Sequence, residues 1–484
     1  MASIKKNFAL SSAYQILSVV TPIVTTPYLS RSIGVDGNGV FAYTQSIANY
    51  FVLFAALGMS SYGVRAVAEC GESRSKRSLV FWNAFTMNLL FGLGSLSVYM
   101  LYVTMIADGN MILSAIWGLW VAGSTIDASW LFFGVEEFGV PTARNFITKI
   151  ASVAMILLCV DGPGDVWIYV LAIAGANFAN SVISWPFIWR YVDYVKPTWK
   201  EMKKHIKPNL ILFIPVVAVS FYSLFNKIML GAMTSAEQIG LFDYSEKISK
   251  IPMAVITALG SAVLPRMTSL LSSGKEQEGK TLVETTMWGM LICAFALCFG
   301  IVGIAPSFTP VFFGEGYDDC VLLMSLLAFI IPAVCATNVI GNQYLLPCHR
   351  DYEFTVSVSI GAIVNLVLNL LLIPRWGAAG AALGSVACEL TVLFVQMRAV
   401  KENFCLRRLI SRCFPYLIFG IIMSIFIRTL DVLIRPTLGL YASFIVEFIS
   451  GAALYTLLAV IWAIKHDMDC MVKLFPARKK RDGE

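Results

Sequence analysis

The stretch Gly39-Val-Phe-Ala-Tyr43-Thr-Gln-Ser46 returns 201 residues later as Gly240-Leu-Phe-Asp-Tyr244-Ser-Glu-Lys247. Each copy follows an apolar run that ends in a short polar loop. Each copy also opens the next apolar run with the same Gly-x-Phe-x-Tyr start. Many membrane transporters consist of a duplicated bundle of helices with a substrate site between the halves. The repeat therefore predicts a duplicated helical bundle and favours a role in transport.

The composition is that of a membrane protein. Apolar residues make up 58% of the 484 positions and charged residues 14%, and the mean hydropathy is +0.74. Soluble domains carry roughly 25% charged residues, whereas a membrane-spanning helix needs about 20 apolar residues. We therefore expect an all-α polytopic membrane protein with about 14 transmembrane helices. The predicted spans are 8–29, 40–60, 79–105, 110–134, 143–161, 166–190, 209–231, 240–263, 283–306, 320–346, 354–374, 378–398, 412–430 and 441–464.

The basic residues predict the orientation of the chain. If the N-terminus is cytoplasmic, most of the 36 Lys and Arg fall on the inner side, as the positive-inside rule requires. The outer loops then hold only four: Arg31, Arg375, Arg428 and Arg435. An even number of spans places both termini in the cytoplasm. The net charge of +6 is thus explained by topology and gives no reason to expect a nucleic-acid partner.

Several short motifs occur, but their surroundings do not suit the chemistry. The run 274–281 has the letters of a P-loop, yet it lies in an inner loop without the preceding strand that a P-loop needs. Asp467-Met-Asp469 resembles a metal-binding D-x-D motif in a short tail, and 37–42 resembles a dinucleotide fingerprint in a loop. The 11 Cys and three His show no metal-ligand spacing. We therefore expect no cofactor and no metal site.

The first span carries a polar stripe. Five polar residues recur at spacings of three and four and share one helix face: Tyr14, Ser18, Thr21, Thr25 and Tyr28. Pro22 and Pro27 allow this helix to bend. The stripe is typical either of a water-filled cavity wall or of a helix contact sealed by hydroxyl groups.

The second copy of the repeat is charged on one side of its helix, at Asp243, Glu246, Lys247 and Lys250. A charge in mid-bilayer costs ~2.5–3.5 kcal/mol on insertion scales, so such residues usually face a cavity or the protein interior. Either the i,i+4 pairs only neutralise one another, or the lysines form a cationic groove for an anionic head group, with Lys250 deepest. At the same offset Tyr43 matches Tyr244 and Asn49 matches Lys250, which makes Tyr43 and Asn49 further candidates.

Two basic residues lie near the predicted outer ends of helices. Lys227, in the seventh span beside Tyr222 and Asn226, either extends to the interface or lines a site. Arg31 lies at the outer mouth of the first span and is a candidate contact of the substrate.

Two acidic residues are candidates for ion coupling. Asp127 shares a face of the fourth helix with Trp120 and Ser124, which suits a sugar platform or a cation site. Glu389 lies near the middle of the twelfth span, where it binds a coupling ion or pairs with a lysine.

The chain resembles a known family through motifs that occur in the expected order over residues 5 to 400. The motifs are Pro27-Tyr-Leu-Ser-Arg31-x-x-Gly34-x-x-Gly37-x-Gly39-x-Phe41-x-Tyr43-x-Gln45-Ser46, Trp130-Leu-Phe-Phe-Gly134-Val-Glu136, Asn226-Lys227-Ile-Met-Leu-Gly231, Tyr244-Ser-Glu246-Lys247-Ile and Gly377-Ala-Ala-Gly380-Ala-Ala-Leu-Gly384. Together they resemble bacterial polysaccharide flippases, the Wzx-like branch of the MATE/MOP superfamily.

The resemblance implies two pseudo-symmetric six-helix lobes, 1–205 and 206–405, followed by a helix pair and a basic tail at 406–484. It implies a central cationic cavity that moves a lipid-linked oligosaccharide, typically on undecaprenyl diphosphate, across the bacterial cytoplasmic membrane by alternating access. Membrane lipids and the polysaccharide polymerase machinery are the implied partners, with a proton or sodium gradient as the implied energy source. The family commonly has Asp where this chain has Asn226, which predicts a Lys227 freer to meet a diphosphate.

Two other functions compete with a flippase. A MATE-type cation-coupled multidrug antiporter would use acidic cavity residues, whereas the candidates in the second half are lysines. A membrane glycosyl polymerase or ligase usually has a large outer loop, and the longest predicted outer loops, 30–39 and 306–319, are short and lack His. The sequence therefore favours the flippase.

Overall fold

The computed structural model of the chain describes residues 4–107 and 109–466, apart from the side chains of 4–13 and of some positions in three long helices. The described backbone is helical with short turns and contains no β-strand. The Asp467-Met-Asp469 motif, the basic cluster 478–481 and the side chain of Tyr222 lie outside what is described.

Fifteen α-helices follow one another in the described part of the chain. They are α1 (Ile4–Ser32), α2 (Gly34–Ala56), α3 (Met59–Ala68), α4 (Arg74–Met105), α5 (Met111–Thr125), α6 (Ser129–Gly134), α7 (Gly139–Cys159), α8 (Val166–Ile188), α9 (Trp199–Met233), α10 (Ala236–Ser272), α11 (Glu276–Phe312), α12 (Asp319–Ala328), α13 (Ile330–Thr337), α14 (Asp351–Val400) and α15 (Leu406–His466). A 3₁₀ turn precedes α8 and a π-helical turn follows α13.

Many of these helices are suited to a bilayer. Nine helical stretches of the described residues are long and apolar enough to cross a membrane. Two of them break at a glycine with positive φ, Gly377 in α14 and Gly439 in α15, so each covers two of the predicted spans. Large apolar side chains lie on the surface, among them Leu158 (78% exposed) and Phe394 (67%). The all-α polytopic fold class is confirmed, while the lobe boundaries near 205 and 405 stay predictions.

The predicted loop at 30–39 is wrong. Helix α1 continues to Ser32, and α2 begins at Gly34, whose φ of +70° makes the tight turn possible. Gly39 and Gly240 therefore lie inside α2 and α10 rather than at their first residues. Glycine favours loops by propensity, but in membrane helices it also allows another backbone to approach. The predicted loop at 306–319 is likewise shorter, because α11 runs to Phe312.

The run that resembles a P-loop joins two helices. Gly274 adopts φ +71° after the end of α10, and α11 begins at Glu276, so Lys280 and Thr281 are helical rather than part of a solvated loop. The element before the run is a helix, whereas a P-loop follows a strand. The run therefore gives no support to a nucleotide site.

The chain divides into two compact units, Met1–Asp243 and Tyr244–Glu484, with the boundary inside α10. In the first unit, α5 packs against α2, α4 and α8, α7 packs against α1 and α8, and α2 packs against α9. The Phe41 ring stacks on Tyr169 with the centroids 3.8 Å apart. In the second unit, α11 packs along α15, and α13 packs against α11 and α14.

Candidate functional site

A buried ion pair lies where α2, α9 and the start of α10 meet in the first unit. Lys227 Nζ lies 2.6 Å from Asp243 Oδ1, and Asn38 Nδ2 donates to Asp243 Oδ2 over 2.9 Å. The side chain of Asp243 is 1% exposed and that of Lys227 is 12% exposed. A buried carboxylate is costly unless donors reach it. Here α9 and α2 each contribute one donor to a carboxylate on α10.

The expectation that Lys227 would be freer for a diphosphate is wrong. Asn226 does replace the acidic residue of the family pattern, but a carboxylate from the next helix, Asp243, bonds to Lys227 instead. The side chain does not extend to the interface either, because it is largely buried. The role of Lys227 in binding substrate stays a prediction.

The two copies of the repeat cross beside this ion pair. A Cβ on Gly39 would collide with the carbonyl oxygen of Ala236, and a Cβ on Gly240 would collide with that of Val35. The 201-residue offset relates Val35 to Ala236 and Gly39 to Gly240, so each contact is the counterpart of the other, as in a two-fold interface. Such close backbone approach requires small residues. The repeat is therefore a packing motif that positions Asp243.

Tyr43 and Asn49 lie further along α2. The half-buried ring of Tyr43 covers Gly231 of α9, where any side chain would collide with it. Tyr43 thus has a packing contact in the first unit, and its predicted contact with substrate stays a prediction. Asn49 is half-buried.

A second buried cluster in the first unit surrounds Arg144 of α7, whose side chain is 6% exposed. Arg144 Nη1 donates to the carbonyl oxygen of Asn180, and Nη2 donates to Ser129 Oγ. Ser129 donates in turn to Asp127 Oδ1, which lies 3.8 Å from Arg144 Nη2. Arg144 Nε is buried without a hydrogen-bond partner. The cluster thus retains one unused donor on a buried cation.

Asp127 lies within the fourth span, as predicted, but in a break between two helices rather than on one continuous helix face. Helix α5 ends at Thr125 and α6 begins at Ser129. Trp185 Nε1 donates to the carbonyl oxygen of Ile126 over 3.1 Å, which satisfies one acceptor that the break releases. Non-helical backbone at membrane depth persists only where protein groups or water satisfy it. Asp127 is 36% exposed, so it is accessible from outside the cluster.

Arg144 and Lys149 were not singled out from the sequence. The fifth span was predicted to start at 143, so Arg144 was expected at the end of the helix. Helix α7 instead begins at Gly139, and Arg144 lies in its second turn. A signal was present, since Arg144, Thr148 and Ser152 recur every four residues and all three are buried. Lys149 is half-buried, and no carboxylate of the described residues lies within 4 Å of its amine.

The hydroxyl groups of α1 favour the helix-contact interpretation of its stripe. Thr21 and Thr25 donate to backbone carbonyl oxygens one turn earlier in α1. Tyr28 donates to the carbonyl oxygen of Val160, just after the end of α7, over 2.8 Å. Tyr14 and Ser18 are half-buried.

The charged residues of α10 beyond Asp243 belong to the second unit. The predicted pair is present, with Lys250 Nζ 2.9 Å from Glu246 Oε1, and the Lys250 side chain is 55% exposed. Lys247 Nζ lies 5.4 Å from the centroid of the Tyr244 ring. A groove formed by the two lysines stays a prediction.

The substrate contact of Arg31 and the ion-coupling role of Glu389 stay predictions. Arg31 is exposed, and its Nη1 donates to the carbonyl oxygen of Pro27 over 2.7 Å. Glu389 is half-buried in the second half of α14. In the described residues no group of three or more His, Cys, Asp or Glu could hold a metal ion.

An apolar cavity of about 400 Å³ lies within the second unit between α11, α13, α14 and α15. Its walls are aliphatic and aromatic; examples are Leu291, Phe295, Phe299, Leu390 and Phe414. A cavity with such a lining suits a hydrocarbon chain rather than a sugar.

Known proteins resemble this chain in sequence and in fold. A putative O-antigen transporter of Escherichia coli K12 is 21% identical over 405 residues, covering 83% of this chain and 97% of that protein. One from Shigella dysenteriae is 22% identical over 404 residues, covering 82% and 100%. The structure of the lipid II flippase MurJ in an inward closed conformation superimposes with a TM-score of 0.76 at 13% identity, covering 95% of this chain and 99% of that one.

A MATE multidrug transporter in an inward-facing conformation has a TM-score of 0.58 at 11% identity, covering 81% of this chain and 94% of that one. These likenesses confirm the fold of the MATE/MOP superfamily and the resemblance noted in the sequence. The profile of the family described as polysaccharide biosynthesis protein matches residues 4–271, which is more than half of the chain. The chain belongs to the polysaccharide biosynthesis protein family.

Proposed function

We propose that this protein is a flippase that moves a lipid-linked oligosaccharide from the inner to the outer leaflet of a bacterial cytoplasmic membrane by alternating access. One observation carries the proposal: two putative O-antigen transporters align with the chain over 97% and 100% of their own lengths. A transporter of that kind moves a carrier lipid with its sugar and catalyses no covalent change. The product would serve the assembly of a surface polysaccharide.

The head group of such a substrate needs buried positive charge, which the first unit contains. A diphosphate is matched by Lys as a point charge and by Arg through paired donors. Lys227 already bonds to Asp243, and Arg144 lies next to Asp127. Lys149 has no carboxylate within 4 Å among the described residues, so its charge is the least compensated of the three. We therefore add Lys149 to the predicted contacts of the head group, together with the unused Arg144 Nε.

The carrier lipid needs an apolar surface, and the cavity of the second unit offers one. Its lining by residues such as Leu390 and Phe414 suits a polyprenyl chain. We propose that part of the hydrocarbon chain lies there while the sugar crosses.

The remaining parts of the proposal rest on the charge pattern and the resemblance. Both termini lie in the cytoplasm, since the basic clusters then fall on the inner side. The lobes are 1–205 and 206–405. Asp127 and Glu389 are the proposed contacts of a coupling proton or sodium ion, and the polymerase machinery is the proposed protein partner.

The proposal is tested by flipping in proteoliposomes that contain the purified protein and an undecaprenyl-diphosphate-linked oligosaccharide. We expect the protein to increase the rate at which the sugar becomes accessible to a membrane-impermeant reagent on the opposite side of the bilayer. If intact proteoliposomes show no acceleration with several donors and imposed ion gradients, the proposal is wrong. Proton- or sodium-driven uptake of a cationic dye in the same vesicles would then favour the multidrug antiporter, whose fold is shared.

The same assay tests Lys149. Lys149→Gln removes the uncompensated charge of α7 and is expected to slow flipping about tenfold, which corresponds to roughly 1.4 kcal/mol. Lys465→Gln is the matched control, since Lys465 is exposed in the last turn of α15. Equal rates for both variants at equal protein density would remove Lys149 from the site.

A further inference from the structure

A pair of buried acids lies between α11 and α15 of the second unit, outside the site proposed above. Glu447 is 0% exposed and Asp431 is 7% exposed, and their carboxyl groups lie within hydrogen-bonding reach of each other. The Ser307 hydroxyl of α11 donates to Glu447 Oε2. The two acids come from the two halves of α15 on either side of the break at Gly439.

The remaining oxygens of the pair have no donor. Glu447 Oε1 and Asp431 Oδ1 are both buried, and neither has a hydrogen-bond partner in the structure. Ionised carboxylates only accept hydrogen bonds, so two facing carboxylates cannot satisfy each other. A single proton on one of them turns that group into a donor toward the other. The Ser443 hydroxyl, one turn before Glu447 and therefore on the same helix face, is also fully buried without a partner.

The positive charges around the pair balance one acid rather than two. Arg435 Nη1 lies 3.5 Å from Asp431 Oδ2, and its Nη2 donates to the carbonyl oxygen of Pro306. No Lys, Arg or His of the described residues lies within 4 Å of the Glu447 carboxylate. An ionised, fully buried Glu447 would therefore lack a counter-ion, which is strongly unfavourable.

The other arginine of this helix segment, Arg428, directs two of its donor groups away from the pair. Arg428 donates from Nε and Nη2 to the carbonyl oxygen of Val302, over 3.1 and 2.7 Å. It acts on the pair only through its longer-range attraction to Asp431. From α11 the pair meets the Ser307 hydroxyl and no charged side chain of the described residues.

We propose that Glu447, facing Asp431, forms a proton-binding site that holds one proton at neutral pH. The proton is taken from water, binds covalently to a Glu447 carboxyl oxygen and is hydrogen-bonded to the Asp431 carboxylate. The pair then carries one negative charge, which Arg435 balances. The side chain of Asp431 is 10% exposed and that of Arg435 is 37% exposed, so water reaches the pair from this side. The site goes beyond the proposed flipping activity and does not depend on it.

The test is infrared difference spectroscopy on the purified full-length protein at neutral pH. We expect the wild type to show a protonated-carboxyl C=O band that is absent from Glu447→Gln and shifted in frequency in Asp431→Asn, because the proton then loses its carboxylate acceptor. An amide can both donate and accept hydrogen bonds, so both variants should fold. Glu276→Gln is the control, because Glu276 is 75% exposed at the other end of α11 and should leave the band unchanged. Spectra in which Glu447→Gln removes no such band, or in which Asp431→Asn leaves the band unshifted, would overturn the proposal.

The wild type provides a second test that needs no substitution. We expect the band to fade as the pH is raised into the alkaline range. A band already absent at neutral pH contradicts the site. Loss of the band when sodium replaces choline in the buffer at constant pH would also contradict the proposal, because the pair would then bind a metal cation instead of a proton.

Discussion

The two copies of the repeated stretch share their backbone geometry but differ in their chemistry. In each copy a glycine of one helix meets a main-chain carbonyl oxygen of the other. At the same offset, however, Asn38 of the first copy corresponds to Ile239, and Asp243 of the second corresponds to Ala42. The contact between amide and carboxylate is thus made once, whereas the glycine contact is made twice.

The glycine contact is steric and the contact between Asn38 and Asp243 is polar, which explains why only the glycine contact occurs in both copies. Two helices that cross closely at a two-fold point must both lack a side chain there, so the steric requirement applies to each copy. A buried carboxylate needs donors but not a second carboxylate, so Asp243, which accepts from Lys227 and Asn38, needs no acidic counterpart in the first copy. A second acid at position 42 would place two negative charges near each other. We therefore expect the two copies to respond alike to steric changes and differently to changes of charge.

The largest effect is expected from Asp243→Ala, which removes the carboxylate that bonds to Lys227 and Asn38. Removing one partner of a buried ion pair costs about 3–5 kcal/mol of unfolding free energy. Thermal and denaturant unfolding, followed by tryptophan fluorescence, measures the loss, because Trp117 is fully buried in the same unit.

Glu278→Ala is the control for Asp243→Ala, because it removes the partner of Lys275 and both side chains of that pair are more than half exposed. A pair of this kind contributes about 0–1 kcal/mol. If both alanine variants lose similar stability, the buried pair does not hold the crossing together.

Gly39→Ala and Gly240→Ala are expected to destabilise the protein by similar amounts, about 1–3 kcal/mol each or more, because each added methyl group meets main chain rather than a flexible side chain. Gly94→Ala in α4 is the control. Nothing lies within 4 Å of its Cβ position, so the variant should gain ~0.5–1 kcal/mol from the lower entropy of the unfolded chain. If the protein tolerates Gly39→Ala but not Gly240→Ala, or the reverse, the two-fold interpretation is wrong.

Asn38→Ala should cost about 1–2 kcal/mol, since Asp243 Oδ2 loses the amide donor 2.9 Å away. Asn49→Ala, at a half-buried amide on the same helix, is the matched variant and should change stability by less than about 0.5 kcal/mol. The same unfolding assay separates the two, and a neutral Asn38→Ala would show that the carboxylate does not need the Asn38 amide.

The smallest effect on stability is expected from Lys250→Ala, less than about 1 kcal/mol, because the Lys250 side chain is 55% exposed. If Lys250 contacts the substrate, the rate of flipping falls even though stability does not. Lys465→Ala at equal membrane abundance provides the reference. Unchanged flipping in both would remove the cationic groove from the proposed function.

The sequence predicted the long-range pattern of the fold better than its local boundaries. The apolar runs and the repeat depend on composition over 20 or more residues, and they indicated the all-α polytopic fold. The start of α2 was missed because Gly34 and Gly39 favour a loop by propensity, whereas packing against α10 holds Gly39 in a helix. Arg144 was missed for a similar reason, since its place inside α7 depends on where the helix begins.

The partners of the charged residues could not be predicted from the sequence. Adjacent positions suggested that Lys227 would be freer for a diphosphate, yet its carboxylate comes from Asp243 on the next helix. Likewise, the proton site joins Asp431 to Glu447 across the break at Gly439, with a hydroxyl from α11. Spacing along one helix reports only the i,i+3 and i,i+4 neighbours.

The sequence by itself determined the membrane fold, because insertion into hydrocarbon depends on apolar length and on satisfying the backbone within each helix. It also determined the repeat and, with the resemblance, the class of transporter. Only the tertiary structure decided which buried charges neutralise one another, which glycines are needed for backbone contact and which acids lack a donor. Those properties depend on distances of a few ångströms between helices far apart in the chain, and short-range interactions in a low-dielectric interior change strongly over such distances.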